Sequence, residues 1–536
     1  MAQYLPSQPP DGILKPRPAA AADTGSSAAG APPDLVDRHL NTDHLMKNIG
    51  GRAVAGGFVT AVSQVIKFGL SLGSAVVLAR MLSPRDFGLV AMASALMPVL
   101  RTFREGGLST ATVQTENVTH AQVSNLFWIN IALGALITLI GASMAPVIAW
   151  FYRDDRLVVM TVILSLSFVM SGSAVQHLAL LNRQMRFMAV AAIDICATAT
   201  GFLVGVVMAW TGFGYWSLVG MQLSTTVAET ILTWIASGWR PQMFRPRSGT
   251  RPLLRFGASM TVYILLRRLA SGADVILLGR LYGAGPVGLY SRAQVLLMRP
   301  LDQFISPFDT VFVPVLSRLQ NQPERYRTVF LQAYGAIALL SFTFAGLLIG
   351  LSEPLVLVLL GPKWSGVIPI FSWLTIAALY IPLSYAAMWL LTTQGRSRDL
   401  LIMGTVVPLV TVISVVIGVP FGVSGVALSL ALFGLLARLP VQYQITGKAG
   451  PVSRDDLWGV FFRHLPLWAA VASTTWVVQR LVGSWQPIWK LVVGGLSGGA
   501  VALTVIVCWP AMRNEARFLI DHGLRHLRRK KDPKES

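Results

Sequence analysis

Leu78-Ala79-Arg80-Met81-Leu82-Ser83-Pro84-Arg85-Asp86-Phe87-Gly88-Leu89 joins two apolar stretches, and its pattern returns two hundred positions later. Leu278-Gly279-Arg280-Leu281 matches Leu78-Ala79-Arg80-Met81, and Val287-Gly288-Leu289 matches Phe87-Gly88-Leu89. Lys67 and Arg267 keep the same offset, each near the middle of a long apolar run. A charge at the centre of a membrane helix costs roughly 2.5–3.5 kcal/mol on translocon scales, so it faces a cavity or a partner. Two later matches, Pro146 with Pro354 and Phe213-Gly214 with Phe421-Gly422, stand at an offset of 208 and place a short insertion between Leu289 and Pro354.

Outward from this segment, apolar stretches near the roughly 20 residues needed to cross a bilayer recur along the chain. We expect about fourteen, over 54–80, 86–104, 121–151, 157–181, 189–211, 214–237, 253–279, 284–310, 326–352, 366–393, 398–419, 421–446, 462–482 and 487–511. The expected fold is therefore all-α and polytopic, with each repeat holding six spans and two more following. Six is even, so both repeats enter the membrane in the same orientation. Such repeats are related by an axis along the membrane normal, with a substrate site at their interface. The division reads as a Pro/Ala/Gly/Ser-rich disordered cytoplasmic tail over 1–45 and six-helix lobes over 46–240 and 241–450. Two additional helices over 451–512 and a basic cytoplasmic tail over 513–536 complete it.

Composition agrees. The chain is 54% hydrophobic and 13% charged, about half the charge of a soluble protein. Its net charge of +20 invites a nucleic-acid reading, which the distribution opposes. With the N-terminus cytoplasmic, about thirty of the 44 Lys and Arg fall in the tails, the cytoplasmic loops and the span ends beside them. This places both termini in the cytoplasm. Arg240, Arg245, Arg247, Arg251 and Arg255 form one cytoplasmic cluster, and Arg525, Arg528, Arg529, Lys530 and Lys531 another. They set topology, with anionic lipid as the alternative role. The first span begins too late for a cleaved signal peptide. Cys196 and Cys508 both lie in apolar spans and read as packing residues rather than a disulfide or metal site.

Several motifs carry ordinary explanations. Gly69-Leu70-Ser71-Leu72-Gly73 fits the nucleophile pattern G-x-S-x-G but sits inside a membrane helix, where no strand-to-helix turn exists. Close helix packing through G-x-x-x-G explains it better, as it does Gly494 to Gly498 and Gly495 to Gly499. His177 is read as the only histidine well inside a span, engaged in packing. No P-loop or dinucleotide fingerprint appears, so no catalytic residue, metal or cofactor is expected. The candidate site is a cationic cavity of Lys67, Arg267, Arg268 and Arg292, suited to pyrophosphate, with ion pairing to Asp274 or Glu229 as the competing reading. Asp274 is a protonation site or a counter-ion. Arg299 and Asp302 are expected to pair on one helix face, and Asp194 and Arg438 to reach the membrane interface. Pro300, Pro307 and Pro314 recur every seven residues and are hinge candidates.

The segment Leu78 to Leu89 resembles the first loop of bacterial Wzx-type polysaccharide flippases, of the multidrug/oligosaccharidyl-lipid/polysaccharide exporter superfamily. Glu105-Gly106-Gly107-Leu108, Leu126-Phe127-Trp128-Ile129-Asn130, Arg255-Phe256-Gly257 and Asp274-Val275-Ile276-Leu277-Leu278-Gly279 fit as well. So do Gly288-Leu289-Tyr290-Ser291-Arg292-Ala293, Pro314-Val315-Leu316-Ser317-Arg318 and Gly361-Pro362-Lys363-Trp364. The resemblance covers about residues 50–450 and is nearest to the colanic acid and succinoglycan exporter branch. It implies a V-shaped pair of lobes in the bacterial inner membrane. It also implies translocation of an undecaprenyl-pyrophosphate-linked oligosaccharide for exopolysaccharide or lipopolysaccharide synthesis, beside a polymerase and a chain-length regulator. A drug/cation antiporter and a peptidoglycan lipid-precursor flippase of the same fold are the alternatives. An enzyme such as a polymerase would need a large periplasmic loop, which the chain lacks.

Overall fold

The computed structural model describes residues 49–100, 112, 118–245 and 272–528. Arg267 and Arg268, and the tail over 1–45, lie outside the described residues. Within them the chain is helical, with no strand. The first lobe comprises α1 (Ile49–Met81), α2 (Pro84–Ser94), α3 (His120–Tyr152), α4 (Arg156–Arg183), α5 (Phe187–Trp210) and α6 (Trp216–Ser237). The second comprises α7 (Ala273–Tyr282), α8 (Ala284–Arg318), α9 (Pro323–Leu359), α10 (Val367–Leu374), α11 (Ile381–Thr393), α12 (Ser397–Gly418), α13 (Gly422–Phe433) and α14 (Leu439–Thr446). The two extra helices are α15 (Arg454–Leu481) and α16 (Pro487–Cys508), and α17 (Pro510–Arg528) follows.

Local sequence sets the helix starts. Ser83 caps α2 by accepting the Asp86 N–H, while the Asp86 carboxylate accepts the Ser83 N–H, and Pro84 occupies the first turn, where its missing N–H costs nothing. Thr119 with Gln122 does the same for α3, and Ser453 with Asp456 for α15. Two expected spans are broken. The tenth divides into α10 and α11 around a 3-10 turn at Thr375–Leu379. The twelfth divides into α13 and α14 around a π turn at Gly434–Arg438. Pro440 explains the second break: it has no N–H to give, and its ring would strike the carbonyl four residues back.

Among the described residues eight segments are long and apolar enough to cross a membrane, and α8, which carries Arg292, Arg299, Asp302 and Asp309, is not one of them. Exposed Trp150, Trp210, Phe421, Trp485 and Trp489 lie at or beside helix ends, as aromatic side chains do at a bilayer interface. The extra helices pack on α9 through Gly494 and Gly498, which meet Leu351 and Leu347. Gly69 and Gly73 are different. Among the described residues nothing lies within 4 Å of where a side chain at either would begin.

Candidate functional site

The repeat seen in the sequence becomes a joint in space. A side chain added at Gly88 would run into the carbonyl of Ala284, and one added at Gly288 into the carbonyl of Pro84. The start of α2 and the start of α8 thus cross through reciprocal contacts two hundred positions apart. The helices before them reach across likewise. Arg80 donates to the Val358 carbonyl at 2.6 Å at the end of α9, and the Arg280 guanidinium lies 5.8 Å from the Phe151 ring at the end of α3. Trp364 donates its Nε1–H to the Ala79 carbonyl at 2.7 Å, and Gly279 lies beneath Tyr152.

Arg292 belongs to this joint. Its guanidinium sits 4.3 Å from the centre of the Phe87 ring, whose edge meets Trp364 at 5.3 Å. Its buried Nε has no hydrogen-bond acceptor among the described residues.

A second meeting point lies deeper. Lys67 donates to Asp194 of α5 at 2.9 Å, with the two side chains 40% and 33% exposed. Asp194 is therefore the counter-ion of Lys67, and it does not reach for the interface. One turn along the same face of α1, the Ser71 hydroxyl accepts from Arg299 of α8 at 3.2 Å. Arg299 thus points at the other lobe instead of closing the expected pair with Asp302. At 1.5 Å per residue, Lys67 lies about 21 Å from the end of α1 and Arg299 about 22 Å from the start of α8. The two cations share one depth from opposite lobes. Arg299 has no carboxylate within ion-pair distance among the described residues, and its planar fork of donors suits a phosphate.

Asp274 sits in the first turn of α7 among neutral donors. Its Oδ1 accepts the Val275 N–H at 2.9 Å; its Oδ2 accepts from the Tyr290 hydroxyl at 2.8 Å and from Gln294 at 2.7 Å. α8 runs unbroken through Pro300, Pro307 and Pro314. Beside the first two prolines lies a narrow apolar gap lined by Leu301, Phe304, Ile305, Phe308 and Ile337. His177 is fully buried and stacks on Trp234 at 4.2 Å.

Three features escaped the sequence reading. Arg438 turns inward from the π turn, donating to the Ser384 hydroxyl at 3.2 Å, and does not extend to the interface. His177 is not the only interior histidine, since His464 in α15 is also fully buried. The cross-lobe position of Arg299 was hidden by its proximity in sequence to Asp302. The seven-residue spacing of Arg292 and Arg299, which puts both on one face of α8, was the available signal.

Comparison with known proteins follows the same lines. A family model described as "Polysaccharide biosynthesis protein" matches residues 77–369. The lipopolysaccharide biosynthesis protein WzxC of Escherichia coli (strain K12) is 24% identical over 61% of this chain and 67% of its own length. The teichuronic acid biosynthesis protein TuaB of Bacillus subtilis (strain 168) is 27% identical over 54% and 61%. The succinoglycan biosynthesis transport protein ExoT of Rhizobium meliloti (strain 1021) is 24% identical over 63% and 67%. The chain thus spans about two thirds or less of these relatives' length. Among solved structures, the lipid II flippase MurJ in an inward closed conformation superposes with a TM-score of 0.67 at 16% identity, over 84% of this chain and 97% of that one. An inward-facing MATE family multidrug resistance transporter of the MOP superfamily superposes at 0.57 with 15% identity, over 75% and 98%. These two likenesses concern the fold.

Proposed function

We propose, from the premise that this chain belongs to the family of polysaccharide biosynthesis proteins, that it is a flippase. Its substrate is an oligosaccharide carried on a polyprenyl pyrophosphate, moved from the cytoplasmic to the periplasmic leaflet of a bacterial inner membrane. The observation that carries this reading is the contact between Ser71 and Arg299. It sets an arginine with no carboxylate partner among the described residues at mid-depth in the seam between two lobes, where a pyrophosphate would need neutralising. Low dielectric strengthens that attraction, and a guanidinium meets phosphate oxygens two at a time.

Lys67 takes a lesser part than its depth alone suggests, because Asp194 already balances its charge. Arg267 and Arg268 are further candidates by sequence depth. Arg292 acts at the joint, holding Phe87, and Asp274 orders the start of α7. Among the described residues nothing stands over Gly69 and Gly73 of α1, which leaves room for a bulky headgroup there. With both termini cytoplasmic, the Gly88–Gly288 joint is periplasmic and closed, and bending of α8 at Pro300, Pro307 and Pro314 accompanies its opening. The activity is transport rather than catalysis. Membrane lipids surround the bundle, and a polymerase and chain-length regulator receive the product.

The test is export in cells. Arg299→Gln, present in the membrane at normal level, should abolish surface polysaccharide and leave lipid-linked units on the cytoplasmic face. Normal export would remove Arg299 from the mechanism. Resistance to cationic drugs conferred by the wild-type protein, without any effect on polysaccharide, would favour an antiporter.

A further inference from the structure

α17 is amphipathic, yet its inner face is spent on protein rather than lipid. Met512 is fully buried in a small core with Leu339, Leu467, Val471 and Ala502, and the Phe518 ring lies 5.9 Å from Phe312 of α8. Between them sits a carboxylate. Glu515 is 7% exposed and is pressed over Gly335 of α9. Its Oε1 accepts from Arg463 at 2.7 Å, and its Oε2 lies 2.8 Å from Nε2 of His464. His464 is fully buried, and its Nδ1 lies 2.8 Å from the Val460 carbonyl oxygen.

This geometry dictates a protonation state. A carbonyl oxygen only accepts, so Nδ1 carries a hydrogen. A neutral imidazole has one N–H, which would leave a lone pair on Nε2 facing the lone pairs of the carboxylate at contact distance. The 2.8 Å approach therefore needs a proton between Nε2 and Oε2. We propose that His464 and Glu515 form a proton-binding site, and that the bound proton clamps α17 against α9 and α15.

The surroundings isolate the pair. Arg463 gives Glu515 a cationic partner on its other oxygen. α9 presents Gly335 and the Phe342 ring, 5.9 Å from the imidazole. The nearby Tyr334 hydroxyl is bonded to Tyr443, and α16 contributes apolar Ala502, Val505 and Ile506. On α17 itself, Arg513, Arg517 and Asp521 point outward and are exposed. No other titratable group among the described residues compensates for a lost proton, so a neutral imidazole, with one N–H, leaves one of the two contacts, Nδ1 to the Val460 carbonyl or Nε2 to Oε2, in lone-pair repulsion. α17 then loosens and Phe518 leaves Phe312, which lies on α8 between Pro307 and Pro314. Proton availability is thereby linked to α8, which carries three internal prolines.

The test uses the full chain in membranes, with Cys196→Ser and Cys508→Ser and a cysteine pair from Phe312→Cys and Phe518→Cys. A short thiol–thiol cross-linker reads α17 docking from about pH 5 to pH 8, the range in which imidazole changes charge. The same pair carrying Glu515→Gln is the reference. Its amide donates to Nε2 and accepts from Arg463 without any titrating proton, and the ratio of the two cancels the titration of the thiols. The cross-linking ratio should be near one at low pH and fall by about fivefold or more at high pH. A ratio that stays flat, or a Glu515→Gln protein that fails to cross-link at any pH, overturns the proposal. Tryptic cleavage at Arg513 and Arg517 in the protein with native cysteines and phenylalanines should rise with pH in wild type relative to Glu515→Gln, and equal cleavage refutes the clamp.

Discussion

Gly88 and Gly288 cross backbone to backbone. Gly88 abuts the carbonyl of Ala284 and Gly288 the carbonyl of Pro84, so one contact is the image of the other across the repeat. Glycine is required at both positions because a Cβ would displace a main chain rather than a flexible side chain. Gly88→Ala and Gly288→Ala should each strain the joint by about 1–3 kcal/mol, as overpacking does. Export should fall with normal membrane levels, and the double variant should lose less than the sum of the singles, since both relieve the same crossing. Wild-type export from either single variant would contradict a closely packed joint.

Arg299 should be the most sensitive cation of the described seam. Arg299→Lys keeps charge but not the fork, and should retain part of the activity that Arg299→Gln loses. Surface polysaccharide measured beside immunoblots of the membrane fraction separates this outcome from poor expression. Equal activity in the two variants would mean that charge is irrelevant there.

Lys67 and Asp194 should behave as a pair. Asp194→Asn alone leaves Lys67 without its counter-ion, and Lys67→Gln alone leaves Asp194 without its cation. The double variant should recover toward wild type in thermal stability in detergent, with a coupling of about 1 kcal/mol, modest because both side chains are well exposed. Purely additive losses would show that the two do not interact.

Asp154, in the turn between α3 and α4, supplies a pH dependence. Hydrogen bonding from the Arg156 side chain holds its carboxyl below the usual carboxylate range. A lowered carboxylate stabilises the fold above its unfolded value, and that contribution is lost as pH falls through the folded value. Asp154→Asn should therefore be less stable than wild type at neutral pH by under about 1 kcal/mol, the pair being partly exposed. The gap should close in strong acid, as followed by thermal inactivation across pH.

Reporter fusions at the C-terminus should be active with a cytoplasmic reporter and silent with a periplasmic one. The opposite pattern would invert the bundle and place the Gly88–Gly288 joint in the cytoplasm.

Much of the fold was legible because membrane helices are locally determined. Apolar length and the repeat offset are properties of neighbouring residues or of simple counting. The site was less legible. Asp194 was assigned to the interface and Arg299 to Asp302, since reasoning within one helix sees only partners three or four residues away. His464 and Glu515, fifty-one positions apart, carry no shared local signal.

By itself the sequence determined that this protein is an all-helical membrane bundle built from a duplicated unit, because hydrophobic length and the cost of intramembrane charge act on each segment separately. Tertiary structure alone decided which charges are balanced and which face the other lobe. Lys67 and Arg299 look alike as sequence, a cation in an apolar run. Only the approach of α5 to α1 gives Lys67 its carboxylate, and only the crossing at Gly88 and Gly288 brings Arg299 to Ser71. Electrostatic pairing depends on separation in space, and that separation is set by how helices far apart in the chain pack together.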